Sequence, residues 1–430
     1  MKKNELKIYL SETLIAAAIV FQVSAGTISS YNLRAYLLKI IADFFLIVVM
    51  VANSRWFSQN LIKSVDRPSI YQQPNFFIYK SSFINLKSSL VNHKSLIINF
   101  KLLIIVFYPL LTLIYSLNPI FGFEKWLNLL LGPMVSIVGV YYITSTWNEY
   151  RLKASKYFLS ITAVTLSLFA VIINPFTYDG LYSITALKWS HVIYARYLAA
   201  AFIVLFIFLI LAKNEKERIY LFLVLVLTAP GIYFTSLRAS LIGLAVVIPL
   251  IIITSFIKKE PRRNLIATFA VILFSVLFTI ILSFTFNSKA GERTLRISEF
   301  NNIEEIKDGA FTSRIEAYKI AIERIQKNPI AGLGFGGFRT YYKNNLPLWI
   351  KYPHNIFLET QVELGIGGTL LLLYLLYLIF KKSYNLLPYF FYFFLFAFIL
   401  SLFAKDLPGQ GLLFLGLGLS ISGEKSNNQN

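Results

Sequence analysis

Long apolar runs separated by short charged stretches form the main pattern of this chain. Twelve of them fall near residues 9 to 26, 36 to 52, 102 to 117, 126 to 143, 157 to 174, 193 to 212, 219 to 235, 238 to 257, 264 to 286, 355 to 380, 387 to 403 and 409 to 422. A helix needs roughly 20 residues to cross about 30 Å of hydrocarbon, and most of these runs approach that length. The last is the shortest. Alternation with a period of two is absent, so the pattern predicts a helical bundle instead of a barrel. The expected fold class is an all-α polytopic membrane protein of about 12 transmembrane helices.

One long polar interval, residues 287 to 354, separates the ninth and tenth runs. Within it Ser313-Arg314-Ile315-Glu316 reads as a capping box that opens a helix over about 314 to 327. Ile315, Tyr318, Ile322 and Ile325 recur at helical spacing, and Asn328-Pro329 ends the run. This spacing predicts a helix lying over the mouth of the membrane domain, apolar side down. The organisation read from the chain is therefore a single transmembrane domain, 1 to 430, with one partly helical loop at 287 to 354.

Composition agrees with a membrane protein. The chain is 57% hydrophobic with a mean hydropathy of +0.64, well above what a water-soluble domain carries. A net charge of +20 would suggest nucleic acid in a soluble chain, but here its distribution follows the apolar runs. With the N-terminus inside, the cytoplasmic segments hold 23 of the 41 lysines and arginines, and the 287 to 354 interval takes 11 more. Long loops are largely exempt from the charge rule, so both termini read as cytoplasmic and the polar loop as periplasmic. The interval 53 to 101 alternates apolar patches with Lys80, Lys87 and Lys94, as an amphipathic segment on an anionic inner leaflet would. The start, MKKNELK before an apolar run, resembles a secretory signal and reads as an uncleaved first helix. Zero cysteines exclude disulfides, thiolate metal sites and a cysteine nucleophile.

The candidate chemistry collects at the expected outer rim. Arg314 sits near a helix start, where free N–H groups and a guanidinium together suit a phosphate; the alternative is a surface arginine paired with Glu316 or Asp308. His354 follows Pro353 where the loop re-enters the bilayer, and an ordinary histidine pKa of about 6.5 suits proton transfer. Glu359 and Glu363 follow at helical spacing, and carboxylates at that depth need a cavity or a partner. Arg238 lies in the tight turn between the seventh and eighth runs. Arg196, Lys188 and His191 stand at the mouth of the sixth, and Lys39 with Asp43 form a structural pair in the second. The glycines of GLGFGGF are followed by no Lys-Ser/Thr pair and preceded by no strand, so they read as a closely packed turn, not a nucleotide loop.

The order of these elements resembles the O-antigen ligase and polymerase family of bacterial envelope glycosyltransferases. The resemblance rests on TSR opening the loop helix, NPIAGLGFGGF, and HNIFLETQVELGIGG entering a span, over residues 312 to 368. It implies a GT-C-like, metal-independent and cofactor-free glycosyltransferase that uses an undecaprenyl-diphosphate-linked glycan at the periplasmic face of the bacterial inner membrane. Carried onto this chain, the family's functional arginines match Arg238 and Arg314, and its essential histidine matches His354. Arg314 and Arg238, with Asn355, Glu359, Arg196 and His191, are the expected substrate-binding set. The family's adjacent Ser-Arg appears here as Ser236-Leu237-Arg238. The acceptor implied is a lipid A-core sugar for a ligase, or another lipid-linked repeat unit for a polymerase. A lipid-linked oligosaccharide transporter is the reading from another class, expected to show midplane charges or broken helices in matched halves.

Overall fold

The computed structural model of the chain describes residues 104, 107 to 134, 137, 149 to 173, 191 to 235, 237 to 285, 309 to 342, 352 to 386, 388 to 403 and 406 to 422. The spans expected near 9 to 26 and 36 to 52, the interval 53 to 101, the Lys39 and Asp43 pair, Lys188, Ser236 and residues 287 to 308 lie outside the described residues.

All regular structure among the described residues is helical. The α-helices include α1 (Pro119–Leu129), α2 (Glu149–Ile173), α3 (His191–Ile210), α4 (Glu215–Phe234), α5 (Arg238–Ile257), α6 (Arg262–Thr285), α7 (Gly309–Lys327), α8 (Phe338–Tyr342), α9 (Ile356–Leu386), α10 (Pro388–Ser401) and α11 (Gly411–Ser422). Four are long and apolar enough to cross a membrane, namely α4, α5, α6 and the Ile356–Leu378 part of α9. The chain is a helical membrane protein.

α4 is the hub, packed against α2, α3 and α6. Asn214 caps it by accepting from Glu217 N at 2.8 Å, and Glu215 and Glu217 place negative charge at its positive end. Pro230 interrupts its hydrogen-bond ladder, and Ser167 of α2 bridges the damaged turn by donating to Leu227 O and accepting from Gly231 N. A Cβ on Gly231 would lie 2.5 Å from Ser167, so only glycine lets the two helices approach this closely. At the end of the bundle where α3 passes into α4, Asn264 of α6 donates to Ile210 O and accepts from Arg218 Nε. The other end, where α3 and α5 begin and α4 and α10 finish, carries the candidate chemistry.

Three expected spans take a different form. The run at 102 to 117 ends in a 3-10 turn at Leu113–Tyr115. The run expected at 126 to 143 begins inside α1, which starts at Pro119 because Asn118 caps it, accepting from Phe121 N at 3.2 Å. Lys125 belongs to that helix despite its charge. The tenth span is broken at Gly365, whose φ of 63° and ψ of −163° are not helical. The turn at 328 to 337 fills the break: Leu333 N donates to Val362 O, Ile366 N to Ile330 O, and Gln361 Nε2 to Pro329 O. Tyr108 satisfies Leu364 O from the other side, so the carbonyls freed by the break find partners within the protein.

Candidate functional site

The glycine cluster behaves as the packed turn expected of it. Gly332, Gly334 and Gly336 all have φ between 69° and 78°, a region glycine enters without strain. Gly336 also lies against Gly122 of α1, where a Cβ would come within 2.5 Å of backbone. The turn thereby joins α1, α7 and α9.

α7 begins at Gly309, four residues before Ser313, which differs from the capping box read from the sequence. Arg314 therefore stands in the second turn of the helix. The buried face of α7, Ala317 and Ala321, packs with Leu333, Phe338 and Val362, and this fixes the side on which Arg314 emerges. Arg314 is half-buried, and among the described residues its Nε has no hydrogen-bond partner. Burial pushes the nearby Tyr318 phenol up, while the Arg314 guanidinium works in the opposite sense.

Arg196, on the first turns of α3, is 6% exposed and donates through Nη2 to Leu400 O at the end of α10. Arg314 repels it, and Asp406 attracts it. Two guanidiniums thus share one neighbourhood. His354 stands beside Tyr352, with ring centroids 4.5 Å apart, and has a left-handed backbone with φ of 57°. Histidine tolerates that region better than bulky residues, but it is strained and is a frequent feature of functional corners.

Asn355 caps α9, accepting from Phe357 N at 3.0 Å and Leu358 N at 3.2 Å, and donates to Leu402 O. Expected on the substrate side, it is committed to protein partners. Glu359 is likewise enclosed: at 1% exposure it pairs with Lys125 at 2.5 Å and accepts from Leu407 N at 3.0 Å. Glu363 pairs with the same ammonium at 2.6 Å and accepts from Gly336 N at 3.0 Å. The sequence reading left a cavity or a partner open for the two carboxylates and did not identify Lys125. The available signal was Lys125, a basic residue at the very edge of the apolar run expected at 126 to 143.

Arg238 opens α5 and is half-buried. α5 begins at the same end of the bundle as α3, and Gly243, little more than a turn along it, meets Phe396 and Leu400 of α10. Arg238 therefore belongs to the end of the molecule that holds Arg196. His191 opens α3, and its side chain lies outside the described residues.

Residues 223–373 match the family model described as O-antigen ligase. This stretch resembles the O-antigen ligase family. It contains Arg238, Arg314, His354 and the whole glycine turn. Arg196, Lys125 and Asp406 stand at the same polar end from outside the matched residues. No curated protein and no solved structure matches the chain.

A groove of about 630 Å³ runs between α3, α4, α5 and α6, lined by apolar side chains with a row of hydroxyls from Ser275, Thr279 and Ser283. Leu241 in its wall is three residues beyond Arg238, on the same helix face.

Proposed function

We propose that the protein transfers a glycan from undecaprenyl diphosphate to a sugar hydroxyl of lipid A-core at the periplasmic face of the inner membrane, in a twelve-span GT-C-like bundle with both termini in the cytoplasm. The observation that carries the reading is the approach of Arg314 to Arg196, a half-buried and a buried cation that repel one another. Like charges held together in a protein call for an anion between them, and a guanidinium fork fits a phosphate without a metal. Arg238 supplies a third cation at the same end, next to a groove suited to an isoprenoid chain.

In the proposed reaction the acceptor hydroxyl oxygen attacks the anomeric carbon from the face opposite the diphosphate. A new C–O bond forms as the bond to the bridging phosphate oxygen breaks, and the electron pair leaves with undecaprenyl diphosphate. The anomeric centre is inverted. Arg314, Arg196 and Arg238 stabilise the growing negative charge, and His354 accepts the hydroxyl proton. Asn355 and Glu359 act through their protein contacts, and His191 lies at the rim.

Reconstitution in liposomes with a labelled undecaprenyl-diphosphate glycan tests this. Product that requires added lipid A-core supports ligation; a ladder formed without it makes the protein a polymerase of the same chemistry. Movement of the donor between leaflets with no glycan transfer would replace both readings with transport. Transfer is expected to persist in EDTA.

A further inference from the structure

The Lys125 network includes no group assigned to bond making, yet it reaches several walls of the site. Its single ammonium joins α1 to two successive turns of α9, through Glu359 at 2.5 Å and Glu363 at 2.6 Å. The same two carboxylates hold the backbone N–H of Leu407, which follows Asp406, and that of Gly336 in the glycine turn. Lys125 also stands 4.8 Å over the ring of Phe335 in that turn. Four elements therefore meet on one charge.

A buried ion pair is a poor device for stability, because desolvation offsets most of the attraction and apolar residues of the same volume often serve as well. Its better-attested use is to select one arrangement among several packed alternatives. Here the arrangement selected bears directly on His354. Glu359 lies one turn beyond Asn355, which caps α9 and ties it to Leu402 O, and His354 immediately precedes that cap. With φ of 57° His354 has little backbone freedom, so a rotation of the first turns of α9 passes directly to the imidazole.

We infer that Lys125 is a positioning residue for His354, setting the orientation of the first turns of α9 against the glycine turn and the Leu407 turn. The inference rests on the glycan-transfer reading above. The test compares wild type, Lys125→Arg, Lys125→Met and the neutral triple Lys125→Met/Glu359→Gln/Glu363→Gln in liposomes with the labelled undecaprenyl-diphosphate glycan. The triple keeps side-chain volume and removes every buried charge of the network. Its expected kcat is about a hundredfold below wild type, the loss typical of misplacement by about 1 Å, with KM for donor and melting temperature close to wild type. Lys125→Arg, which keeps the charge, is expected to retain kcat within about tenfold, a smaller misplacement on the same scale. A triple variant with wild-type kcat overturns the positioning role while leaving glycan transfer standing, and a triple that fails to fold overturns it as well by showing the network to be a requirement of the fold. Absence of transfer by wild type overturns the glycan-transfer reading and this inference with it.

Discussion

Tyr352 and His354 pack ring against ring, with centroids 4.5 Å apart and planes tilted by 56°. The contact reaches across Pro353, which is buried and fixes the backbone between them. The imidazole thus packs against an aromatic ring, and its backbone leads directly into the capped start of α9. Replacing the ring should matter more than removing the hydroxyl. Tyr352→Phe is expected to keep kcat within a few-fold, Tyr352→Ala to lower it by about 10²-fold through misorientation, and His354→Ala to lose the 10²- to 10⁴-fold that a positioned proton acceptor supplies. Initial rates of glycan transfer, measured on variants shown to insert, check the order.

Arg314 should separate activity from stability. Its guanidinium opposes that of Arg196, and among the described residues its Nε has no hydrogen-bond partner. Arg314→Gln removes this repulsion, so its melting temperature is expected to equal or exceed wild type. Its kcat/KM should nevertheless fall by about 10²- to 10³-fold, the usual cost of losing one donor to a developing oxyanion. Thermal melting in detergent and transfer rates in liposomes provide the two readouts. A variant that melts earlier and remains active would assign Arg314 to the fold.

Gly365 should not tolerate a side chain. Its φ is 63°, and a Cβ there would lie 2.0 Å from Ile330 O, a backbone atom that cannot move aside cheaply. Backbone strain alone costs about 1 to 3 kcal/mol, and the clash adds to it. Gly365→Ala is expected to accumulate poorly and to expose the 328 to 337 turn to protease. Gly416→Ala, where the nearest atom is a ring carbon of Phe394 at 3.0 Å, is the control expected to be milder.

The last turn of α7 should weaken in acid. The Glu323 carboxyl is held below the usual range chiefly by the hydrogen bond from Lys327 at 2.8 Å, then by the charges of Lys327 and Arg324. A depressed carboxyl pKa favours the folded helix above the unfolded value of about 4.3, and that contribution disappears as pH falls through the folded value. Hydrogen exchange between pH 6 and pH 3 is therefore expected to show wild type losing protection in this turn, with Glu323→Gln nearly level. The pair is exposed to solvent, which keeps the effect small.

Much of the candidate site was legible because its signals are local. Pro353 marks the start of α9 for His354, and the alternating glycines of the 332 to 337 stretch mark a turn with positive φ. Signals that depend on one neighbour were less secure. Ser313 and Glu316 form a capping pattern, yet α7 starts at Gly309, because a capping motif states a preference that packing can extend past. The break at Gly365 was not legible at all. Gly365 lies in a run of small and apolar residues that reads as a continuous helix, and what opens it is a backbone segment about 30 positions earlier in the chain.

Hydropathy and charge by themselves decide that this chain is helical and membrane-bound, since backbone groups in lipid must be satisfied inside the protein, which a helix does locally, and apolar length is read directly from composition. The residue types suited to holding a diphosphate and accepting a proton are equally visible one position at a time. Which of them meet is settled by packing alone. Lys125 finds Glu363 across 238 positions, Arg196 finds Leu400 O across 204, and no local pattern encodes either contact. A charge buried in an apolar medium requires a partner, but its identity follows only from how the helices pack.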